Sequence, residues 1–374
     1  MMADTRDKSR IRALHVGPGW GQRGGIASVL EELKGLSDTF DDRGVSLQFA
    51  ETHDFGSITG AFRFFVFDVP GFVRKLCSGA EIVHLHVSIK SSFYRKFLLF
   101  LFARLFRARV VLQVHSGNFD GFVRSSTRLA SVATRAFLRR SNALVAVSNS
   151  IANALIELGA ERSRVHVIAN TASAAQRACA TVGRNDRAKS TNGPGIIFTG
   201  RLVETKGVGD LLEAAALLKA QGLNFHLTVA GSGDLERWSR EVERLNICDR
   251  VSFPGWIAGE QKLEHYQSAD IFCMPSHFEA FGIATLEAMF GGLPIVGTAV
   301  GGFFDLVDQG NSGLLVEPSN PIQLADALGT LLADPTLCDQ MGRNSRERAY
   351  RSFTCIVVVD GYVDMYEQMV KETR

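Results

Sequence analysis

Short apolar runs alternate with longer amphipathic stretches along almost the whole chain. Residues 12–16, 46–50, 82–86, 110–114, 143–147 and 165–168 are apolar runs that close on small or polar residues. The same pattern resumes at 196–199, 225–230, 251–253, 271–274, 294–297 and 313–316. Between these runs, helical spacing marks 26–36, 211–220, 235–245, 261–268, 284–290 and 322–332. An unbroken apolar run of strand length fits a strand buried on both faces, as in a parallel sheet. Strand–helix alternation predicts such a sheet with helices on either side, so the expected fold class is α/β.

Residues 171–195 break the alternation. They are small, polar and punctuated by Gly and Pro, as a linker would be. With 374 residues and about 100–200 residues per domain, two domains are expected. Their boundary falls near 190, giving 1–185 and 186–354. A last helix within 355–374 can pack on either domain and would, in crossing back, join the first.

Charge separates the two halves. The net charge is only +2, but residues 1–194 hold 27 Lys and Arg against 15 Asp and Glu, and residues 195–350 hold 11 against 20. The asymmetry suggests an anionic partner for the first half; differently solvated faces are the plainer alternative. Residues 87–140 concentrate it, with 11 basic residues and one acid, Asp120. Within them, 90–107 is aromatic, apolar and basic, and reads as a helix that can lie among anionic lipid headgroups. That reading puts Arg95, Lys96, Arg104 and Arg107 on the lipid side; the other has its Phe and Leu facing a core. The aromatic-rich stretch 61–76 adds apolar supply. A nucleic-acid partner finds no support, since no recognition-helix or RNP-like pattern occurs.

The cysteines Cys77, Cys179, Cys248, Cys273, Cys338 and Cys355 are scattered and form no CxxC pair. This argues against a zinc site or disulfide framework and points to a reducing compartment. The polar first ten residues carry no apolar h-region, so no signal peptide is expected. The most apolar stretch, 97–106, is too short for a spanning helix of about 20 residues.

In parallel sheets, ligands bind beyond the carboxyl ends of strands, which is where the chemistry-bearing residues fall. After the 196–199 run come Gly200, Arg201 and, five residues on, Lys206. Two cations on a Gly-flanked loop suit a diphosphate, Arg gripping oxygens in pairs and Lys acting as a point charge; a loop of solvated cations is the alternative. After 271–274 comes PSHFEAFGIATLE, with Glu279 on the loop and Glu287 in an early helical turn. Gly282 permits close backbone approach, and helix-start amides can bind phosphate oxygens. A carboxylate there can accept hydrogen bonds from a ribose diol. Helix-dipole placement of Glu287 and solvent exposure of Glu279 are the plain alternatives.

In the first half, GPGWGQRGGI follows a strand, and although Gly19, Gly21 and Gly24 fall at GxGxxG spacing, the intruding Pro18 and Trp20 argue against a dinucleotide fingerprint. His84 and His86 share a face of one strand, and His115 follows the next. Three histidines near one sheet edge suggest zinc, yet no HExxH and no carboxylate partner accompany them. His84 reads as core, whereas His86, at a strand end, reads as able to face a cleft.

The strings GRLVETKG, VAGSGDLE, VSFPGWI, YQSADIFCMPSHFEAFGIATLEAM, GLPIVGTAVGG and GLLVEP resemble, in order and spacing, glycosyltransferase family 4 over residues 196–318. WGQRGGIASVL and HLHVSIKSSFYRK resemble members that act in bacterial polysaccharide assembly. The resemblance implies the GT-B architecture, two Rossmann-like domains with parallel sheets facing across a cleft. It implies transfer of a sugar, with retention, from a nucleotide-diphosphate sugar (UDP- or GDP-linked) to an acceptor hydroxyl. Arg201 and Lys206, on the Gly200 loop, would bind the diphosphate, Glu287 the ribose and Glu279 the donor sugar. The amides of Phe281, Gly282 and Ile283 would touch sugar and phosphate, and Gly231, Trp256 and Ile257 would line the base pocket. Gly24 and Gly25 would approach the diphosphate through their backbone, and His115 the reacting centre. The catalytic set implied is His115, Glu279, Arg201 and Lys206, with no cofactor and no metal. A polyprenyl-diphosphate-linked glycan acceptor in exopolysaccharide assembly would place the protein in the cytoplasm, peripheral on the inner face of the membrane. A nucleotide-sugar 2-epimerase, a phosphorylase and a non-catalytic nucleotide-sugar-binding protein are the rivals. No Lys suited to a phosphorylase's pyridoxal cofactor stands out.

Overall fold

A computed structural model of the chain describes residues 10–19, 24–53, 58–180 and 193–371. It divides into two units, Met1–Thr171 with Cys355–Arg374, and Ala172–Thr354. The first unit runs β1 (Ile11–Pro18), α1 (Gly25–Gly35), α2 (Ser37–Asp41), β2 (Val45–Thr52), α3 (Ile58–Arg63), α4 (Val69–Cys77), β3 (Ile82–Val87), α5 (Ser91–Leu105), β4 (Arg109–Val114), α6 (Phe119–Arg124), α7 (Arg128–Arg140), β5 (Ala143–Ala146), α8 (Asn149–Glu157) and β6 (Val165–Val167). A π-helical stretch, Phe64–Asp68, joins α3 to α4.

The second unit runs α9 (Ser173–Ala180), β7 (Gly195–Thr199), α10 (Val208–Ala220), β8 (His226–Ala230), α11 (Leu235–Arg244), β9 (Val251–Gly255), α12 (Gly259–Ser268), β10 (Ile271–Met274), α13 (Ile283–Phe290), β11 (Ile295–Thr298), α14 (Phe303–Leu306), β12 (Gly313–Val316), α15 (Pro321–Ala333) and α16 (Pro335–Ser352). The final helix, α17 (Cys355–Lys371), belongs to the first unit.

Each unit is built on a six-stranded sheet, ordered β2-β1-β3-β4-β5-β6 in the first and β12-β11-β10-β7-β8-β9 in the second. Every strand pairing is parallel. The central strands are buried end to end, which is why they read as unbroken apolar runs. Side-chain caps start several helices: Thr127 accepts from the Ala130 amide, Ser148 from Ile151, and Asp234 from Arg237. Pro at the first turn of α15 and α16 costs no helical hydrogen bond.

The units divide at Thr171, ahead of the boundary expected from composition, because part of the apparent linker is helical. α9 is tied to α16 within the second unit, where Arg346 donates to the Cys179 carbonyl at 2.6 Å and Tyr350 to the Gln176 carbonyl at 3.0 Å. The rest of that stretch, 181–192, lies outside the described residues, as does 20–23 of the Gly-rich loop. α17 returns to the first unit because its apolar stripe, Val358, Val359, Tyr362, Val363, Tyr366 and Met369, is buried there. Arg43 pairs with Asp360 at 2.6 Å.

Candidate active site

In an open α/β sheet the ligand crevice forms where the strand order reverses. In the second unit the chain lays down β7, β8 and β9 in one direction, then crosses to place β10 on the other side of β7. The loops after β7 and β10 flank this point, and they carry the two strongest motifs of the sequence. Lys206, on a single 3-10 turn (Glu204–Lys206), reaches Glu279 of the β10 loop at 2.5 Å. Both side chains are only partly exposed, 19% and 13%. The site therefore holds a cation and a carboxylate side by side at the reversal, with the exposed Arg201 on the same loop.

Glycine shapes this place through steric demand. Gly207 is in the left-handed region (φ 69°), and a Cβ there would lie 1.9 Å from the Pro275 carbonyl oxygen. A Cβ at Gly231 would lie 1.7 Å from the Gly200 carbonyl oxygen. The backbones of Gly200, Gly231 and Gly255 thus run side by side, joined through Gly200 N to Ala230 O and Gly231 N to Gly255 O. Trp256 follows with its ring half exposed, while Ile257 is buried. Further ties hold the loops after β7 and β10 together. The His277 amide donates to the Thr205 carbonyl at 3.0 Å, and His277 Nε2 donates to Asp210 Oδ2 at 2.7 Å.

Glu287 sits in the second turn of α13. The first bond inside that helix runs from Leu286 N to Gly282 O, so the amides of Ile283, Ala284 and Thr285 precede its ladder. Phe281 and Gly282 are buried, and Gly282 is left-handed at φ 103°. Glu287 pairs with Lys262 of α12 and accepts from the Tyr266 hydroxyl at 3.1 Å. Burial, and then the charge of Glu287, raise the Tyr266 pKa well above its usual value, so the phenol keeps its proton and donates. Lys262 carries no motif of its own, and Tyr266 opens the YQSAD string without a role assigned to it there. The Gly301–Gly302 turn, which closes the GLPIVGTAVGG string, buttresses Glu279: Gly302 N donates to the Glu279 carbonyl at 3.0 Å.

In the first unit the strand order reverses between β1 and β3, and the Gly-rich loop follows β1. Gly24 and Gly25 are exposed at the start of α1, and a Cβ at either would meet nothing within 4 Å. Among the described residues, no packing contact requires glycine there. His115, after β4, is half-buried, and its Nε2 lies 2.9 Å from His86 Nδ1.

Two expectations are corrected. His86 does not face open space: like His15 and His84 it is fully buried, because all three lie on the sheet face that α17 covers. Arg95 and Lys96 do not lie on a lipid-facing surface. Both are buried, Arg95 donating to the Thr52 and His53 carbonyls and Lys96 to Thr52 Oγ1 at 2.5 Å. Among the four cations, Arg104 and Arg107 remain exposed.

Comparison with known proteins extends over both units. The family "Glycosyl transferases group 1" matches residues 182–348, and "Glycosyl transferase 4-like domain" matches residues 5–171. The alpha-D-kanosaminyltransferase of Streptomyces kanamyceticus is 26% identical over 302 residues, 76% of this chain and 77% of the relative. Other curated glycosyltransferases match at 31–36% identity, but there the chain spans less than half of their length. Sucrose-phosphate synthase from Thermosynechococcus elongatus superimposes with a TM-score of 0.75 at 20% identity, over 96% of this chain and 100% of its own. Anabaena HepE, solved with UDP and glucose, superimposes at 0.68 and 18% identity, over 97% and 99%. Motif order, sheet topology and these matches agree, and the chain belongs to the family 4 type of GT-B glycosyltransferases.

Proposed function

We propose that the protein transfers a sugar, with retention, from a nucleotide-diphosphate sugar to an acceptor hydroxyl. The observation that carries this reading is the Lys206–Glu279 pair at the sheet reversal, one helical start away from Glu287. A diphosphate entering there would take over Lys206 and gain Arg201 and the α13 amides. That set neutralises the charge developing on the leaving diphosphate. Glu279, released from Lys206, would face the donor sugar, and Glu287 would take the ribose diol. Gly231, Trp256 and Ile257 would border the base. HepE, solved with UDP-glucose, supports a uridine nucleotide as the first donor to test.

The chemistry of transfer needs no bound metal in this reading, because cations and amides already meet the diphosphate. The leaving phosphate oxygen would assist deprotonation of the acceptor. For the acceptor, we favour a lipid-linked glycan in cell-envelope or exopolysaccharide assembly. The support is the exposed apolar surface at α3 and the π-helical stretch. Ile58 is 91% exposed, Phe62, Phe65, Val66 and Phe67 are exposed beside it, and Arg63 lies among them. Leu105 and Phe106 are exposed next to Arg104 and Arg107 at the end of α5. Such pairing of apolar and basic groups suits an anionic membrane surface on the cytoplasmic side.

The test combines calorimetry with product analysis. UDP, GDP and ADP are titrated first, with Glu287→Ala expected to weaken the favoured nucleotide. The matching sugar nucleotides are then offered with and without lipid-linked acceptors, and the anomeric configuration of the product is read by NMR. A sugar nucleotide isomerised without acceptor would select the epimerase; binding without turnover would select a non-catalytic role.

A further inference from the structure

Four histidines of the first unit form one unbroken hydrogen-bonded chain with two tyrosines and a glutamine. His115 Nε2 meets His86 Nδ1 at 2.9 Å, and His86 Nε2 meets His15 Nδ1 at 2.9 Å. His15 Nε2 meets the Tyr366 hydroxyl at 3.0 Å, and that hydroxyl meets His84 Nδ1 at 2.7 Å. His84 Nε2 ends the chain on Gln113 Oε1 at 2.8 Å, where the Tyr362 hydroxyl also donates at 3.0 Å. Register explains the gathering: His15 pairs with His84, and His86 with Gln113, so all four point from the same sheet face. Tyr362 and Tyr366 come from α17, about 250 residues or more away in sequence.

The polarity of this chain follows from one atom. Gln113 presents its amide oxygen to both His84 Nε2 and the Tyr362 hydroxyl and leaves its own Nε2 buried without a hydrogen bond; with the oxygen so placed it only accepts, so His84 carries its proton on Nε2 and its Nδ1 is bare. Tyr366 then donates to His84 and accepts from His15 Nε2. His15 Nδ1 is bare and accepts from His86 Nε2, and His86 Nδ1 is bare and accepts from His115 Nε2. Every ring is thereby assigned the same tautomer. Each ring is also neutral, since burial lowers the pKa of all four.

Two other uses of the cluster fail on geometry. His15, His84 and His86 offer nitrogens within 4.8 Å of one another. Yet His84 lies stacked on both His15 and His86, with ring centroids 4.6 and 4.8 Å apart, and stacked rings do not aim their lone pairs at one ion. A proton relay fails as well, because the chain stops at an amide that has no proton-accepting step to offer.

We propose that Gln113, His84, Tyr366, His15 and His86 are positioning residues that hold His115 in a single tautomer, with Nε2 protonated and Nδ1 bare. His115 Nδ1 makes no hydrogen bond among the described residues. It is therefore an acceptor reserved for a ligand donor, and the ligand group it suits is a hydroxyl rather than a phosphate oxygen. The consequence for transfer rests on the reading of His115 as a residue that contacts sugar; the tautomer does not.

The test is nitrogen-15 NMR of histidine-labelled protein, with signals assigned by single His→Gln replacements. The wild type is expected to show His115 protonated at Nε2. Tyr366→Phe leaves His15 with a buried proton and no acceptor, which favours the opposite polarity; a signal for His115 protonated at Nδ1 is expected to appear. Tyr362→Phe removes a buried hydroxyl of the same helix without cutting the chain, and is expected to leave the tautomer unchanged. In transfer assays Tyr366→Phe is expected to lower kcat about tenfold or more with nucleotide affinity intact, as for other histidines turned to the wrong tautomer. The idea fails if wild-type His115 is protonated at Nδ1, or if the two Tyr variants give the same spectra. Expected spectra in a protein that turns over no sugar nucleotide would leave the tautomer standing and remove the transfer reading.

Discussion

At the scale of single residues, Lys206 is where the donor reading is most exposed to test. It is partly buried against Glu279, so its charge is held for a partner rather than spread in solvent. Loss of one charge-assisted contact costs about 1.5–3 kcal/mol, or roughly ten- to hundredfold in turnover. Lys206→Ala is expected to show that loss in a folded protein, checked by steady-state kinetics beside circular dichroism. Turnover within a factor of about two of wild type would take Lys206 out of the site. Gly207 tests the same loop by shape. A Cβ there would collide with the Pro275 carbonyl, in a backbone conformation that L residues rarely adopt. Gly207→Ala is therefore expected to push the Lys206 turn away from Glu279 and to weaken nucleotide binding by calorimetry, although Gly207 need not touch ligand.

These residues also mark how far the sequence could be read. Arg201, Lys206, Glu279 and Glu287 lie in local motifs after strands, and it is the resemblance to family 4, not spacing alone, that gives those motifs their expected roles. Lys262, which holds Glu287, sits on a polar helix with no pattern of its own, and Tyr266 stands in the YQSAD string with nothing there to announce that its hydroxyl meets Glu287. His15 passed unnoticed because a lone histidine in an apolar run looks like any core residue. Its partners are 71 and 351 residues away. Arg95 and Lys96 misled in the opposite sense: charge on an apolar helix suggested a surface, while the Thr52 and His53 carbonyls had taken Arg95 inside and the Thr52 hydroxyl had taken Lys96.

At the scale of elements, the twelve strands of the described residues were legible as apolar runs, the central ones because a strand covered on both faces cannot avoid them, although the edge strands β2, β6, β9 and β12 are only partly buried. Helices such as α7 and α16 were not, because their polar residues outnumber the buried ones. The sheet face under α17 makes a prediction of its own. His15, His84 and His86 are fully buried and neutral, with pKa values below the ordinary 6.5, His15 at about 3. The unfolded chain binds protons there below pH 6.5 and the folded chain does not. Their contribution is present above that pH and is lost as pH falls below it, by up to about 1.4 kcal/mol per histidine per pH unit. Calorimetry from pH 7.5 down to 5 is expected to show the transition of the first unit moving to lower temperature faster than that of the second. Equal shifts for both units would contradict the neutral cluster.

At the scale of the whole molecule, the membrane reading now depends on different residues from those that charge alone suggested. Phe62, Phe65 and Phe67, with Arg63, Arg104 and Arg107, are the exposed set. Co-sedimentation with phosphatidylglycerol vesicles is expected at low salt and is expected to fall when the three Phe become Ser. Nucleotide affinity, which the proposed donor site would place in the second unit, is expected to stay the same. Failure of the wild type to sediment would favour a soluble acceptor. Activity is also expected to survive EDTA, since in the proposed donor site Arg201, Lys206 and the α13 amides would meet the diphosphate without a metal. Loss in EDTA with recovery in Mn²⁺ would reverse that view.

The return of α17 to the first unit has a consequence for how the protein is made. The strands of that unit leave the ribosome early, but the helix that covers their histidines follows only after Ala172–Thr354 has been synthesised. At about 5–20 residues per second, that delay is roughly 10–40 s. Through it, the nascent first unit carries an uncovered sheet face whose imidazoles have no tyrosine to meet. It must wait unfinished while the later-born second unit can already close. A chain stopped at Thr354 would freeze that waiting state. Such a nascent species, rather than the released enzyme, is where a chaperone would find its client.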